Sequence, residues 1–161
     1  MFLSRDLRAA SDRGPTSDFW YQPILSANGP VSPDQALRLS VVWACVKVLS
    51  ETVGSTPIKL FRRLPNGGKE RARDHPLYTL IAQRPNRWQT AMEWRELMQG
   101  HLSLRGNAYA EILTDARGRI TDLVPLHPDR VRVEVTDGGF PRYRVRDGKS
   151  ERMMLWSEML H

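Results

Sequence analysis

The chain has 161 residues, 40% hydrophobic and 26% charged, which lies in the ordinary range for one compact domain. No apolar run approaches the roughly 20 residues of a membrane-spanning helix, and Arg5, Asp6 and Arg8 interrupt the segment where a secretory signal would be apolar, so we predict a soluble, unexported protein. The net charge of +6 is concentrated at residues 55–74 (six basic, two acidic) and 75–106 (four basic, two acidic), so the middle of the chain suits an anionic partner as well as it suits solubility.

An N-terminal arm is predicted for residues 1–31, which mix serine, aspartate, glycine, proline and asparagine without a period of 2 or 3.6. Three adjacent aromatic residues, Phe19, Trp20 and Tyr21, are unusual for a disordered tail. We therefore expect part of the arm to dock, most simply on its own chain. Residues 32–161 are predicted to form one α+β domain.

A long helix is predicted to begin at Ser32, which forms a capping box with Gln35 around a proline and an acid. Gly54, followed by Pro57, predicts its end. Because the apolar positions extend beyond one stripe, we expect a helix buried on most sides. Cys45, the sole cysteine, is expected to be a small core residue. The apolar positions are Leu37, Val41, Val42, Trp43, Ala44, Cys45, Val46, Val48, Leu49, Thr52 and Val53.

A hairpin and a short helix follow in the predicted order. Residues 57–63 are β-compatible and residues 65–68 are a strong reversal signal, which together predict a hairpin. The run Asp74-His75-Pro76 predicts the cap of a helix that continues to about Gln83. A break is expected at residues 84–86, where a proline ends the helical pattern.

A further helix is predicted from a second capping box, made by Thr90 and Glu93, to about Gly106. Its apolar face is predicted to comprise Trp94, Leu97, Met98, His101 and Leu102.

The remaining residues alternate with the period of strands. The predicted strands are 109–113 and 120–126, joined at 115–118, and the hairpin 130–135 and 142–146, joined at 137–139. Helices followed by a β-meander indicate an α+β fold with antiparallel hairpins.

The four histidines indicate structural roles. His75, His101, His127 and His161 are separated by 26, 26 and 34 residues, so none forms the close pair of a local metal motif. His75 and His127 precede prolines in turns, where a structural hydrogen bond is the default, and His101 is expected to be half-buried with its hydrogen bonds satisfied.

No catalytic, cofactor or metal site is predicted. Glu93 is accounted for by the capping box and Glu96 by a solvated helix face. The glycines at 66–68 and 137–139 join strand to strand, so neither loop predicts a phosphate cradle. The strings of nucleophile-elbow and dinucleotide-binding motifs do not occur.

The basic residues support two interpretations. Arg62, Arg63, Lys69, Arg71 and Arg73 cluster around the predicted hairpin, where they suit either a phosphate backbone or a solvated face. Three further arginines project from one strand face, which protects a sheet edge as well as it binds an anion: Arg142, Arg144 and Arg146.

Three extended strings stand out in the chain: VSPDQALRLSVVWACVKVLSETVGSTPIKLFRR, DHPLYTLIAQRPNRWQTAMEWRELMQGHLSLRGNAYAEI and LVPLHPDRVRV. They occur in the order found in HK97-type phage portal proteins, and the chain resembles that family over about residues 31–135. The segment Asn107-Ala108-Tyr109 is especially characteristic, and Glu158–His161 resembles a family strand that ends in Leu-His.

The resemblance implies a structural subunit of a typically dodecameric ring at one capsid vertex, used for DNA packaging, ejection and head–tail connection. Implied partners are the terminase, the major capsid protein, the head–tail connector and non-specific double-stranded DNA. It implies a place in the virion, reached from the bacterial host cytoplasm, and no enzymatic activity. This stretch corresponds to the wing, where the apolar helix surface suits a neighbouring subunit as an alternative to the core.

Two departures from the family are visible. Members usually continue well beyond this Leu-His into stem helices and a clip, so we expect a gene fragment, a prophage remnant or an isolated domain. Arg87 stands where a second proline is common. The alternatives to a portal wing are an independent basic nucleic-acid-binding domain and a hydrolase whose residues converge only in three dimensions.

Overall fold

The computed structural model describes residues 25–26, 29–136, 138–148 and 150–161. The chain divides into two compact units, residues 1–39 and 40–161. Most of the predicted arm, with Phe19, Trp20 and Tyr21, lies outside the described residues, as does Asp137 of the predicted turn. Among the helices that the structure describes, none has the length and apolar character needed to span a bilayer.

The first unit contains a short antiparallel pair and a one-turn helix. Strand β1 (Leu25–Ser26) pairs with β2 (Gly29–Pro30), and helix α1 spans Pro33–Ala36. The amide of Gln35 donates to Ser32 Oγ at 3.2 Å and the amide of Ser32 donates to Gln35 Oε1 at 3.0 Å. This reciprocal pair confirms the predicted capping box and helix start.

The prediction of one continuous helix from Ser32 to Gly54 is wrong. Helix α1 ends at Ala36, and a second helix, α2, spans Ser40–Ser55. Between them, the amides of Arg38 and Leu39 donate to carbonyls only three residues back. This tighter spacing ends the α-helical hydrogen bonding although the apolar periodicity continues.

Helix α2 packs against α4 (Ala91–Arg105) through small residues. A Cβ at Gly54 would lie 3.1 Å from the carbonyl oxygen of Met92 and 3.2 Å from Cβ of Glu96. Ser50 is buried on the same side and lies next to Gly100. The predicted helix end at Gly54 is confirmed to within one residue, since α2 ends at Ser55. Gly54 also allows the two backbones to approach closely.

The predicted hairpin and short helix are confirmed. Strand β3 (Phe61–Arg63) pairs antiparallel with β4 (Lys69–Arg71), and helix α3 spans Pro76–Ala82. The side chain of Arg95 joins α4 to both neighbouring helices: it donates to the carbonyl of Gly54 at 2.6 Å and to that of Ile81 at 3.3 Å. These bonds satisfy carbonyls near the C-termini of α2 and α3 that have no partner within their own helix.

Helix α4 begins and ends as predicted. Thr90 and Glu93 form the second capping box, and the backbone amide of Thr90, donating to the Glu93 carboxylate, holds the pKa of Glu93 below its usual value. Gly106 ends the helix in the left-handed region at φ 72°. Of the predicted apolar face, Trp94, Met98 and His101 are half-buried, whereas Leu97 and Leu102 are exposed.

Two three-stranded antiparallel sheets follow the helices, which confirms the α+β class. The strands of the first sheet, in the order β10-β5-β6, are Met159–Leu160, Tyr109–Thr114 and Ile120–Leu126. The strands of the second sheet, in the order β7-β8-β9, are Val131–Val135, Pro141–Asp147 and Ser150–Leu155. Strand β9 was not predicted, since its sequence does not alternate. The strand ending in Leu-His, β10, leaves the meander and pairs with β5.

The free edge of β6 is closed by the segment before α4. The amide of Leu123 donates to the carbonyl of Pro85 at 2.7 Å, and the carbonyl of Leu123 accepts from Asn86 Nδ2 and Trp94 Nε1, both at 3.1 Å. Asn86 is buried and also accepts the amides of Trp88 and Gln89. The break predicted at residues 84–86 is thus a fixed connection between helix and sheet.

The core lies between the two sheets. Its buried members come from both of them: Tyr109, Leu126 and Met159 from the first, and Tyr143, Val145 and Met154 from the second. His161 is exposed and borders this core: its Nδ1 lies 3.2 Å from the Tyr143 hydroxyl and its Nε2 lies 3.0 Å from Asn107 Oδ1. Since an amide oxygen only accepts, Nε2 carries the proton and Nδ1 accepts from Tyr143.

Candidate interaction surfaces

Helix α2 exposes apolar side chains on the side opposite its contact with α4. Val41, Val48 and Leu49 are 71%, 61% and 54% exposed, and Ala44 and Cys45 lie beside them. At about 100° per residue, these five positions lie roughly opposite Ser50 and Gly54. We call Val41, Ala44, Cys45, Val48 and Leu49 the α2 apolar face.

The predictions that α2 is buried on most sides and that Cys45 is a core residue are therefore wrong. The helix is apolar over more than one side, but the side against α4 is the one with small residues, Ser50 and Gly54. Small residues four apart on one side of a helix are the signal that marks the packed side. The spacing of apolar residues shows which sides of a helix are apolar, but not which of them is covered by another helix.

The two faces of the β3–β4 hairpin carry different charge. Arg62 lies opposite Glu70 and bonds to it at 3.5 Å and to Asp74 at 2.7 Å. The hydrogen bond from Arg62 holds the pKa of Asp74 below its usual value. On this face the charges are paired. Arg63 and Lys69 lie directly opposite each other on the other face.

The other arginine cluster, on β8, is neutralised by carboxylates. Arg142 and Arg144 reach Glu134 at 3.1 and 2.7 Å, and Arg144 and Arg146 lie 3.6 and 3.9 Å from Glu151. The arginines lower the pKa of Glu134, first through the hydrogen bond from Arg142. Strand β8 is central in its sheet, so of the two interpretations of these arginines the protection of a sheet edge is wrong.

Two of the four histidines act as predicted. His75 Nδ1 accepts from the amide of Leu77 at 3.2 Å, and His127 Nδ1 accepts from the amide of Asp129 at 3.4 Å. His101 is half-buried as predicted but not fully satisfied, because its Nδ1 is buried without a hydrogen-bond partner among the described residues.

His101 lies in a small titratable cluster. Its ring meets that of His127 edge to face with centroids 5.3 Å apart, and Arg105 bonds to Asp129 at 2.8 Å beside them. Burial lowers the pKa of His101, electrostatic repulsion from His127 and Arg105 lowers it further, and Asp129 opposes them. In the described part of the chain, no group of three histidine, cysteine, aspartate or glutamate residues is placed to hold a metal ion.

We expect the free energy of unfolding to fall as the pH drops below about 6.5, the usual histidine pKa. Because the pKa of His101 is lowered by folding, the unfolded chain binds its proton more tightly, so stability is complete above that pH and declines toward the folded pKa. Urea unfolding between pH 8 and 5.5 measures this. His101→Gln should flatten the decline, and an equal slope in the variant would contradict the assignment.

The two glutamates of α4 do not form a reactive pair. Glu93 caps the helix, as predicted. Glu96 is half-buried against Gly54, so the prediction of a solvated face is wrong for it. Gly54 has no side chain, so the backbone of α4 at Glu96 lies close to α2.

Comparisons with known proteins agree on one family. The family model described as phage portal protein matches residues 40–161. Protein BeeE of Escherichia coli K12 is 40% identical over 98 residues, 61% of each chain, and the portal protein of Enterobacteria phage HK97 is 29% identical over 126 residues, 78% of this chain and 29% of its own. The chain thus spans less than two thirds of either relative.

A solved structure shares the fold. It is the neck of an empty gene transfer agent particle computed with C6 symmetry, which matches with a TM-score of 0.68 and 24% identity over 81% of this chain and 36% of that chain. At this identity the likeness concerns the arrangement of helices and sheets alone.

Proposed function

Because this chain belongs to the phage portal protein family, we propose that it is a structural ring subunit whose copies contact one another through the α2 apolar face. The observation that carries the proposal is the exposure of Val41, Val48 and Leu49 on a helix that is firmly packed on its other side. A contiguous exposed apolar patch on a folded chain usually marks an interaction site.

A second copy of the chain is the occupant that the findings favour. A ring uses two different patches on every subunit, each meeting the other on a neighbour. The second patch is available just before β8 and just after β9, where Phe140 stacks on Trp156 with centroids 6.2 Å apart and both rings are exposed. The neck of the gene transfer agent particle, which shares this fold, was computed with C6 symmetry, which supports a ring of copies.

The finer assignments rest on family membership. We propose assembly into a dodecamer at the capsid vertex, contact with the terminase, the major capsid protein and the head–tail connector, and formation in the host cytoplasm before entry into the virion. We also propose that the chain catalyses no reaction, and that residues 32–161 act as the wing-like domain with residues 1–31 as its arm.

Light scattering and negative-stain imaging of the purified chain test the ring. Cys45, the sole cysteine, lies within the α2 apolar face and reports on it directly. We expect species larger than a monomer, with maleimide labelling of Cys45 slowing as the chain concentration rises. A chain that stays monomeric to about 100 μM, roughly a hundredfold above a micromolar dissociation constant, with constant Cys45 reactivity, would contradict self-contact through this face.

A further inference from the structure

The outer face of the β3–β4 hairpin concentrates positive charge, with no counter-charge among the residues that the structure describes. In antiparallel pairs, residues directly opposite share a face, so Arg63 and Lys69 lie together, as do Phe61 and Arg71. All four are exposed. We call them the outer hairpin face. Within the described ranges, none of its three cations lies in an ion pair, since Glu70 and Asp74 both engage Arg62 on the opposite face.

This arrangement costs stability within the chain. Like charges directly opposite on a strand pair repel each other, and Arg63 and Lys69 occupy such a pair. A two-stranded ribbon has little stability to spare. Local features that destabilise a fold and have no compensating contact inside it are common at functional positions. A bound anion would compensate for the repulsion between these two cations.

The spacing suits a polyanion. Opposite Cβ atoms lie about 5 Å apart and next-but-one residues on a strand about 7 Å apart. The three cations thus lie within one Debye length of about 10 Å at 0.1 M salt, and they attract an anion together. Lys59 and Arg73, also exposed, flank them along the chain.

We propose that the outer hairpin face binds the phosphate backbone of duplex DNA, without reading its sequence. Duplex DNA carries one charge per about 1.7 Å of axis, so several phosphates face such a cluster at once. Arginine forks suit phosphate oxygens. An acidic protein segment is the competing partner, but its charges are sparser. DNA binding by this face goes beyond ring formation and does not require it, because each single chain carries the complete face.

The test uses the full chain and a fluorescein-labelled duplex of about 30 base pairs of random sequence. At 3.4 Å per base pair, that length presents many more phosphates than one hairpin covers. The variant Arg63→Gln, Lys69→Gln, Arg71→Gln removes three phosphate contacts. We expect its affinity to fall at least about tenfold near 50 mM salt. The slope of log affinity against log salt concentration should become less steep by about 2.7, because each of the three lost contacts contributes roughly 0.9.

The matched control is Arg84→Gln, Arg117→Gln, Arg132→Gln, which removes the same charge from exposed positions that lie in no ion pair within the described residues. The control should keep the native slope. Equal losses in both variants, or equal binding of poly-L-glutamate by the native chain, would overturn the proposal. Failure here leaves the ring proposal intact, because the hairpin variant keeps the α2 apolar face and its oligomeric state is measured separately.

Discussion

Val48→Glu leaves the chain monomeric at concentrations at which the native chain assembles. Val48 lies in the middle of the α2 apolar face and is 61% exposed, so a glutamate there is solvated in the single chain and should not affect folding. In an assembly the carboxylate would be buried without a partner, which costs several kcal/mol. We expect the dissociation constant to rise by about 100-fold or more, measured by light scattering and by Cys45 labelling.

Trp43→Glu is the control for this prediction. It places a glutamate on the same helix, at a residue 52% exposed, about 140° round the helix from Val48 and not three or four residues from any member of the α2 apolar face. The control should assemble like the native chain. Equal loss of assembly in both variants would point to weakening of the helix, and unchanged assembly of Val48→Glu would remove this face from the ring contact.

Tyr143→Ala is expected to destabilise the chain by about 3 to 5 kcal/mol, the range for large aromatic deletions in a core. Tyr143 is 4% exposed and meets the Tyr109 ring edge to face, so its removal opens a cavity between the two sheets. Denaturant unfolding measures the loss, and the melting temperature should fall on the order of 10 °C.

Tyr143→Phe separates the ring from the hydroxyl. It keeps the packing and removes only the hydrogen bond to His161 Nδ1, which should cost about 1 kcal/mol. In a His161→Ala background the same change should cost less, since the bond is already lost. If Tyr143→Ala were no worse than Tyr143→Phe, the ring would not be part of the core.

The structure confirms the features that depend on residues close together in the chain. The capping boxes at Ser32 and Thr90, the cap at His75 and the left-handed Gly106 are all present. Each of them joins groups within four residues, so local sequence is sufficient to specify it. The family resemblance, read from extended strings, is likewise confirmed.

The predictions that failed concern burial and pairing. Gly54, predicted only as a helix end, also lies close against Met92 and Glu96 of another helix. Cys45 was placed in the core because it is small and apolar, yet it lies on the exposed side of α2. Glu151, with Glu134, neutralises the β8 arginines across neighbouring strands, a pairing that depends on register.

By itself, the sequence determined the caps, the hairpins, the α+β class, the family and the place where positive charge accumulates. Only the tertiary structure decided which side of α2 is covered and which cations have no ion-pair partner in the described part of the chain. The physical reason is that caps and turns form between near neighbours, whereas burial and charge neutralisation depend on groups far apart in the chain. Arg152 and Glu111, for example, meet at 3.0 Å across 41 residues.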